Sequence, residues 1–173
     1  MGIKTKVMIG LAILVLTTVG YATFSVISEK RDREEATQVA DSFTKWLHGP
    51  EDDISHAYGL ISEGFRALQS KNTVVRMRDV AIGVVGNYLG HSGAKDVTNA
   101  LAPDAPQNIR LISFDVAYDN DPEGRIIVTM IKERGKWRVH GFNINSPKLT
   151  EAEMNQRIVD QTPAAAQNEV EQV

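Results

Sequence analysis

Hydrophobic and polar positions change rhythm several times along the chain. The run from Val7 to Ser28 carries no charge over 22 positions. As a helix rising about 1.5 Å per residue it extends roughly 33 Å, enough for a hydrocarbon core of about 30 Å. A cleaved signal has a shorter apolar centre, about 7–15 residues, with small residues after it. Here the small-residue stretch Gly20-Tyr21-Ala22 lies inside the run. Tyr21 and Phe24 stand toward its outer end, where aromatic rings favour an interface. The pattern therefore predicts a short tail at 1–6 and a retained transmembrane helix at 7–28, with cleavage as the alternative. A charged stalk, EKRDREE, follows at 29–35.

From Ala36 the rhythm becomes helical: Ala36, Val39, Ala40, Phe43, Trp46 and Leu47 fall on one side. The segment His48-Gly49-Pro50 ends this helix, since Gly suits the position after a helix and Pro can open the next. Glu51, Asp52 and Asp53 favour a new N-terminus through the helix dipole. A second helix is expected over 54–60, with a further turn or two over 62–68. A third is expected from 72 or 73 to about 89, with Val74, Val75, Met77, Val80, Ala81 and Val84 supplying its apolar side.

After Gly90 the stretch HSGAKDVTNALAPDAPQ is polar and broken by Gly and Pro, which suggests one irregular strand and a loop. Three clear strand patterns follow. In IRLISFDVAY, Ile112, Phe114, Val116 and Tyr118 share a face. RIIVTMIKE is rich in β-branched residues. In KWRVHGFNI, Trp137 and Val139 fall on one face and Phe142 and Ile144 on the other, so a bulge is expected near Gly141. The connection ERGK, with Gly135, reads as a tight hairpin turn, and DNDPEG as a looser one. The stretch from Pro147 is expected to form a helix capped by Thr150 with Glu153 in the capping box, before a disordered tail. The folded domain is thus expected over 36–146, with 147–173 as a C-terminal extension.

Composition narrows the chemistry. The chain has 173 residues, a formal net charge of −3 and no cysteine. Thiol catalysis, disulfides, thiolate metal sites and covalent haem are excluded. Basic residues alternate with acids and form no stripe, so no nucleic-acid partner is expected.

Three helices followed by an antiparallel sheet resemble the NTF2-like superfamily, and in particular its small membrane-anchored bacterial members. Two stretches carry the likeness: AYGLISEGFRAL at 57–68, and the closing strand GKWRVHGFNI. The likeness covers about residues 34–146. It implies an α+β fold: a transmembrane helix, then an NTF2-like domain of three helices packed on a curved antiparallel sheet of about four strands around a cone. It also implies a bacterial inner-membrane location; the very short tail before the apolar run suggests a signal-anchor, with the N-terminus cytoplasmic and the domain periplasmic. A second resemblance, to oxidase assembly factors and translocase subunits with one anchor, fits the helix-rich segment 34–89 less well.

Residues that could carry chemistry in such a cone are Asp115, Tyr118 and His140, but strict alternation turns Asp115 away from Phe114 and Tyr118. His48, Asp52, Asp53 and His56 resemble a metal cluster, yet read more simply as helix-start acids and exposed histidines. DNDPEG imitates the start of a calcium loop, but its twelfth position is Met130 and strands flank it. Trp46, Tyr58, Phe65, Phe114, Trp137 and Phe142 are the candidate cavity-lining residues, and could equally fill the cone. No catalytic residue, cofactor or metal is expected. The sequence thus suggests a membrane-tethered, non-enzymatic accessory, scaffold or assembly subunit of a larger membrane complex, whose partners are the membrane and other protein subunits. The alternatives are a small-ligand sensor and an isomerase or hydratase.

Overall fold

The computed structural model describes residues 3–102, 104 and 106–153, with side chains described from Val26 onward except at 51, 52 and 101. The chain divides into two units, Met1–Glu35 and Ala36–Val173, and helix α1 (Ile3–His48) contributes residues to each.

In the first unit Val26 and Ile27 are exposed. They are followed by seven consecutive charged residues at 29–35. Arg33 pairs with Glu29 at 3.6 Å and Lys30 with Glu34 at 3.9 Å, each across one helical turn. Such exposed pairs contribute only about 0.3–0.5 kcal/mol. Among the described residues no helix is long and apolar enough to cross a membrane. That finding corrects the transmembrane helix expected over 7–28. Within the first unit the described side chains of α1 are Val26, Ile27 and Ser28 and then the charged run, which water solvates and lipid does not; the side chains of 7–25 lie outside the described residues.

In the second unit the end of α1 supplies a core stripe. Ala36, Ala40, Phe43 and Leu47 recur at one-turn spacing and are fully buried. Three short helices follow: α2 (Glu51–Gly59), α3 (Glu63–Leu68) and α4 (Lys71–Val85). Ser62 opens α3 by accepting the Phe65 N–H at 3.2 Å, and Ser70 opens α4 by accepting the Thr73 N–H at 3.2 Å. Helix α4 stops at Val85, short of the expected 89, because Gly86 takes φ +87° and turns the chain.

The sheet is antiparallel throughout and has five strands rather than the expected four: β1 (Tyr88–His91), β2 (Lys95–Asp96), β3 (Ile109–Tyr118), β4 (Gly124–Glu133) and β5 (Lys136–Asn145). Their order is β1-β3-β4-β5, and β2 also pairs with β3. β1 begins where the third helix was expected to end, and the irregular stretch after Gly90 gives the one expected strand piece, β2, and a single-turn helix, α5 (Thr98–Leu101). Ile112, Phe114, Val116 and Tyr118 all face the core, as alternation requires. In β5 the register shifts opposite Thr129 and Met130, so His140 is the extra residue between Val139 and Gly141. This bulge returns Phe142 and Ile144 to the core side occupied by Trp137 and Val139.

Segment 60–62 lies beside β5. The Ser62 N–H donates to the Val139 carbonyl at 2.8 Å, and the Val139 N–H to the Leu60 carbonyl at 3.0 Å. It covers that part of an otherwise open sheet edge. The β4–β5 turn has positive φ at both central residues, Arg134 at 49° and Gly135 at 77°, the geometry that suits a two-residue hairpin. The chain is helical again over 147–153. Its cap is Ser146, whose Oγ accepts the Leu149 N–H at 3.0 Å; Thr150, the expected cap, instead sits in the first turn and donates to the Ser146 carbonyl at 3.1 Å. The tail expected to be disordered lies outside the described residues.

Candidate functional site

The most developed polar constellation joins α1 to β1 and β3. Asp41 and Lys45 lie one turn apart on α1, and His48 three residues further on. His91 Nε2 stands 2.8 Å from Asp41 Oδ1, and Lys45 Nζ stands 2.8 Å from Asp41 Oδ2. On its other side the His91 ring meets the Tyr88 hydroxyl through Nδ1. Because a carboxylate only accepts, Nε2 carries a proton and donates to Asp41. His48 Nδ1 faces the Thr44 carbonyl at 2.8 Å and so donates there, which leaves Nε2 to accept the Tyr118 hydroxyl at 3.0 Å. The His48 ring stacks on Tyr88 with centroids 4.6 Å apart and 16° between planes.

The electrostatics follow from this packing. Burial works against the charged form of Asp41, but hydrogen bonds from Lys45 and His91 and their charges outweigh it, so the carboxyl sits below its ordinary value. Burial lowers His48, and the nearby His91 and Arg78 lower it further against the opposing effect of the Thr44 carbonyl. Tyr118 is raised by burial and by Tyr88 and Asp121, and Tyr88 by burial and by Asp41. At neutral pH the cluster is therefore one carboxylate, its lysine, neutral His48 and two intact phenols. The polar atoms named here are matched to one another. The Tyr118 side chain is buried, and the His91 side chain is only 6% exposed.

The residues singled out in the sequence scatter around this cluster. Tyr118 belongs to it. Asp115 lies on the outer face of β3, between Lys95 Nζ at 2.8 Å and Arg125 Nε at 3.2 Å, which hold its carboxyl below the ordinary range. His140 is exposed at the bulge and bonded to Ser62 Oγ at 3.0 Å. His56 is exposed against the Trp46 ring, with centroids 5.3 Å apart, while His48 turns inward. The side chain of Asp52 lies outside the described residues, and among the described residues no group of three His, Asp or Glu could hold a metal. In the 119–124 loop the acids serve as caps. Asp119 binds the Asn87 N–H at 2.7 Å, and Asp121 accepts the Lys148 N–H at 3.1 Å. Phe114 and Trp137 are core residues; Trp46, Tyr58, Phe65 and Phe142 pack against the core partly buried, with Phe142 against Phe43 at 5.4 Å and Phe65 at 6.5 Å.

Sequence reasoning missed Asp41, Tyr88 and His91. The available signal was a polar stripe, Asp41, Lys45 and His48, beside the apolar face of a helix, with Tyr88-x-x-His91 at a strand.

Beside the β4–β5 turn an open cleft of about 270 Å³ is lined by Ile61, Glu63, Arg66, Glu133, Arg134, Lys136 and Arg138. Arg134 pairs with Glu63 at 3.1 Å, both largely exposed. Arg66 and Arg138 both donate to the Gly59 carbonyl, at 2.8 and 3.0 Å. The chain matches no protein-family model, no curated protein and no solved structure.

Proposed function

We propose that the Ala36–Val173 unit is a non-enzymatic binding domain with an NTF2-like plan, acting as an accessory or scaffold subunit that holds another protein on its surface. One observation carries this reading. The space between helices and sheet is occupied by the domain's own side chains: Phe43, Leu47, Phe114, Tyr118 and Trp137 are each 2% exposed or less. A ligand cavity of this kind needs that space open.

The polar network supports the same reading. General acid–base work needs a group placed beside substrate with a proton to give or take. Asp41, His91, Tyr88, His48 and Tyr118 instead direct their polar atoms at one another. Such a network fixes α1 on the sheet, and a fully matched network specifies one packing. A rigid body with a committed interior interacts through its exterior.

The test is native purification of the full chain under gentle conditions, with intact-mass analysis of the complex. Recovery in fixed stoichiometry with another protein is the expected result. Recovery of the chain alone, together with a thermal shift on adding a small apolar ligand, would favour a sensor and overturn the proposal.

A further inference from the structure

We infer that the cleft between α3 and the β4–β5 turn is the docking site for an acidic peptide segment of a partner protein, with one carboxylate held between Arg66 and Arg138. This rests on the reading of the domain as a partner-binding module and names where the partner is held and by what chemistry.

The argument begins with Gly59. Its carbonyl is among the unsatisfied acceptors at the C-terminus of α2, where positive charge is favoured. Two guanidinium groups answer it, Arg66 at 2.8 Å and Arg138 at 3.0 Å. Their donor nitrogens, sharing one acceptor at those lengths, lie less than about 6 Å apart. A helix C-terminus presents only about half a negative charge. Two full positive charges therefore meet roughly half a negative one, and the pair is left with an excess of about one and a half. Among the described residues neither arginine has a carboxylate within ion-pair distance, and neither has Lys136 on the same wall. In a chain whose formal net charge is −3, this cleft gathers Arg66, Arg134, Lys136 and Arg138 against Glu63 and Glu133.

Geometry makes the excess usable. Bonding to Gly59 fixes each guanidinium, and Arg66 is also held over the Tyr58 ring at 5.6 Å. Each retains further N–H donors in the planar fork that suits a carboxylate. Fixing both before binding lowers the ordering cost of association. The exposed Arg134–Glu63 pair is the kind that contributes little, so it opens readily for a second acidic residue. Glu63 and Glu133 on the walls disfavour a continuous phosphate backbone. Spaced carboxylates on a protein segment fit this mixture better than a nucleic acid.

The test uses the full chain and a fluorescein-labelled, capped peptide, Glu-Val-Glu-Val-Glu, read by anisotropy at low salt, with its Gln-Val-Gln-Val-Gln counterpart as the uncharged control. The expected result is saturable binding of the first, at least tenfold weaker binding of the second, and at least a tenfold loss in the Arg66→Gln, Arg138→Gln double variant. Lys95→Gln, on the outer face near Asp115, should change nothing. Amide shifts on titration should concentrate at residues 59–66 and 133–138. The inference is overturned if both peptides bind alike, if the double variant binds as the parent does with its unfolding transition unchanged, or if a short single-stranded oligonucleotide displaces the peptide at lower concentration. Should the double variant still recover its companion protein in full, the cleft assignment fails and the binding-domain reading stands.

Discussion

Asp41 and His91 stand 50 residues apart in sequence, and their side chains meet at 2.8 Å. That contact fastens the last turns of α1 to the outer strand β1, and through Tyr88 and His48 it continues to Tyr118 in β3. If the network is a structural clamp, breaking it lowers stability and leaves the surface cleft intact. Asp41→Ala removes the acceptor of a nearly buried imidazole, so a loss of about 1–3 kcal/mol is expected in urea unfolding. Asp41→Asn keeps an acceptor oxygen and should lose less. A loss below about 0.5 kcal/mol for the alanine variant would mean that the contact is incidental.

The same cluster predicts how stability varies with pH. His48 is held below its ordinary value in the folded state, chiefly by burial. The unfolded chain therefore binds the proton first, at about pH 6.5. The contribution of neutral His48 is complete above that pH and is lost as pH falls toward the folded value. Asp41 is also held below its ordinary value, so its contribution is present above about pH 4 and is lost as pH falls through the folded value. Asp115 and Asp121 share that lower limb. Unfolding free energy should thus decline in two stages on acidification. His48→Gln should remove the first stage and keep the second. A variant with an unchanged first stage would assign that proton to another group.

Two glycines near the end of α4 should respond oppositely to alanine. Gly86 has φ +87°, and a Cβ there would run into the Asp119 carboxylate that caps Asn87. Left-handed backbone costs a non-glycine residue about 1–2 kcal/mol, and the displaced cap adds to it. Gly86→Ala should therefore lose about 2 kcal/mol or more. Gly83 lies within the helix, and a Cβ added there would meet nothing within 4 Å, so Gly83→Ala should gain up to about 1 kcal/mol from helix propensity. Thermal unfolding of the two variants, measured side by side, checks both.

The β4–β5 turn places an arginine where asparagine is preferred. Arg134 has φ 49° and precedes Gly135, the pattern of a two-residue turn that favours Asn-Gly. Arg134→Asn should relieve that strain and lose only an exposed ion pair with Glu63. A net gain of a few tenths up to about 1 kcal/mol is expected in thermal unfolding. A net loss would show that the Arg134–Glu63 pair contributes more than its exposure suggests.

What could be read from the sequence was what local rules determine. Alternation placed Ile112, Phe114, Val116 and Tyr118 inward, and the change of face between Val139 and Phe142 pointed to the bulge that His140 makes. Helix spacing found Ala36, Ala40, Phe43 and Leu47. The misses have physical causes. Ser146 rather than Thr150 caps the last helix because Pro147 can occupy its first position, whereas the capping-box spacing favours the later residue. Gly86 ends α4 locally, but the Asp119 carboxylate that caps Asn87 just beyond it comes from more than 30 residues away, which no local pattern registers. The network was hidden for the same reason, since Asp41, His48, Tyr88, His91 and Tyr118 come from three elements and make sense only once paired. In the cleft, Arg66 and Arg138 are 72 positions apart, and only the shared Gly59 carbonyl shows that their charges converge.

The most direct test of a domain with a self-filled interior is a methyl chemical-shift titration of the full chain with small apolar ligands such as indole and benzene. The methyl groups of Ile54, Ile112, Val128 and Met130 report from the fully buried core. They should stay in place across the titration, because each of these side chains is already enclosed by its neighbours with no exposed surface. Saturable shifts confined to these methyls would contradict the filled interior and mark the domain as a small-ligand receptor.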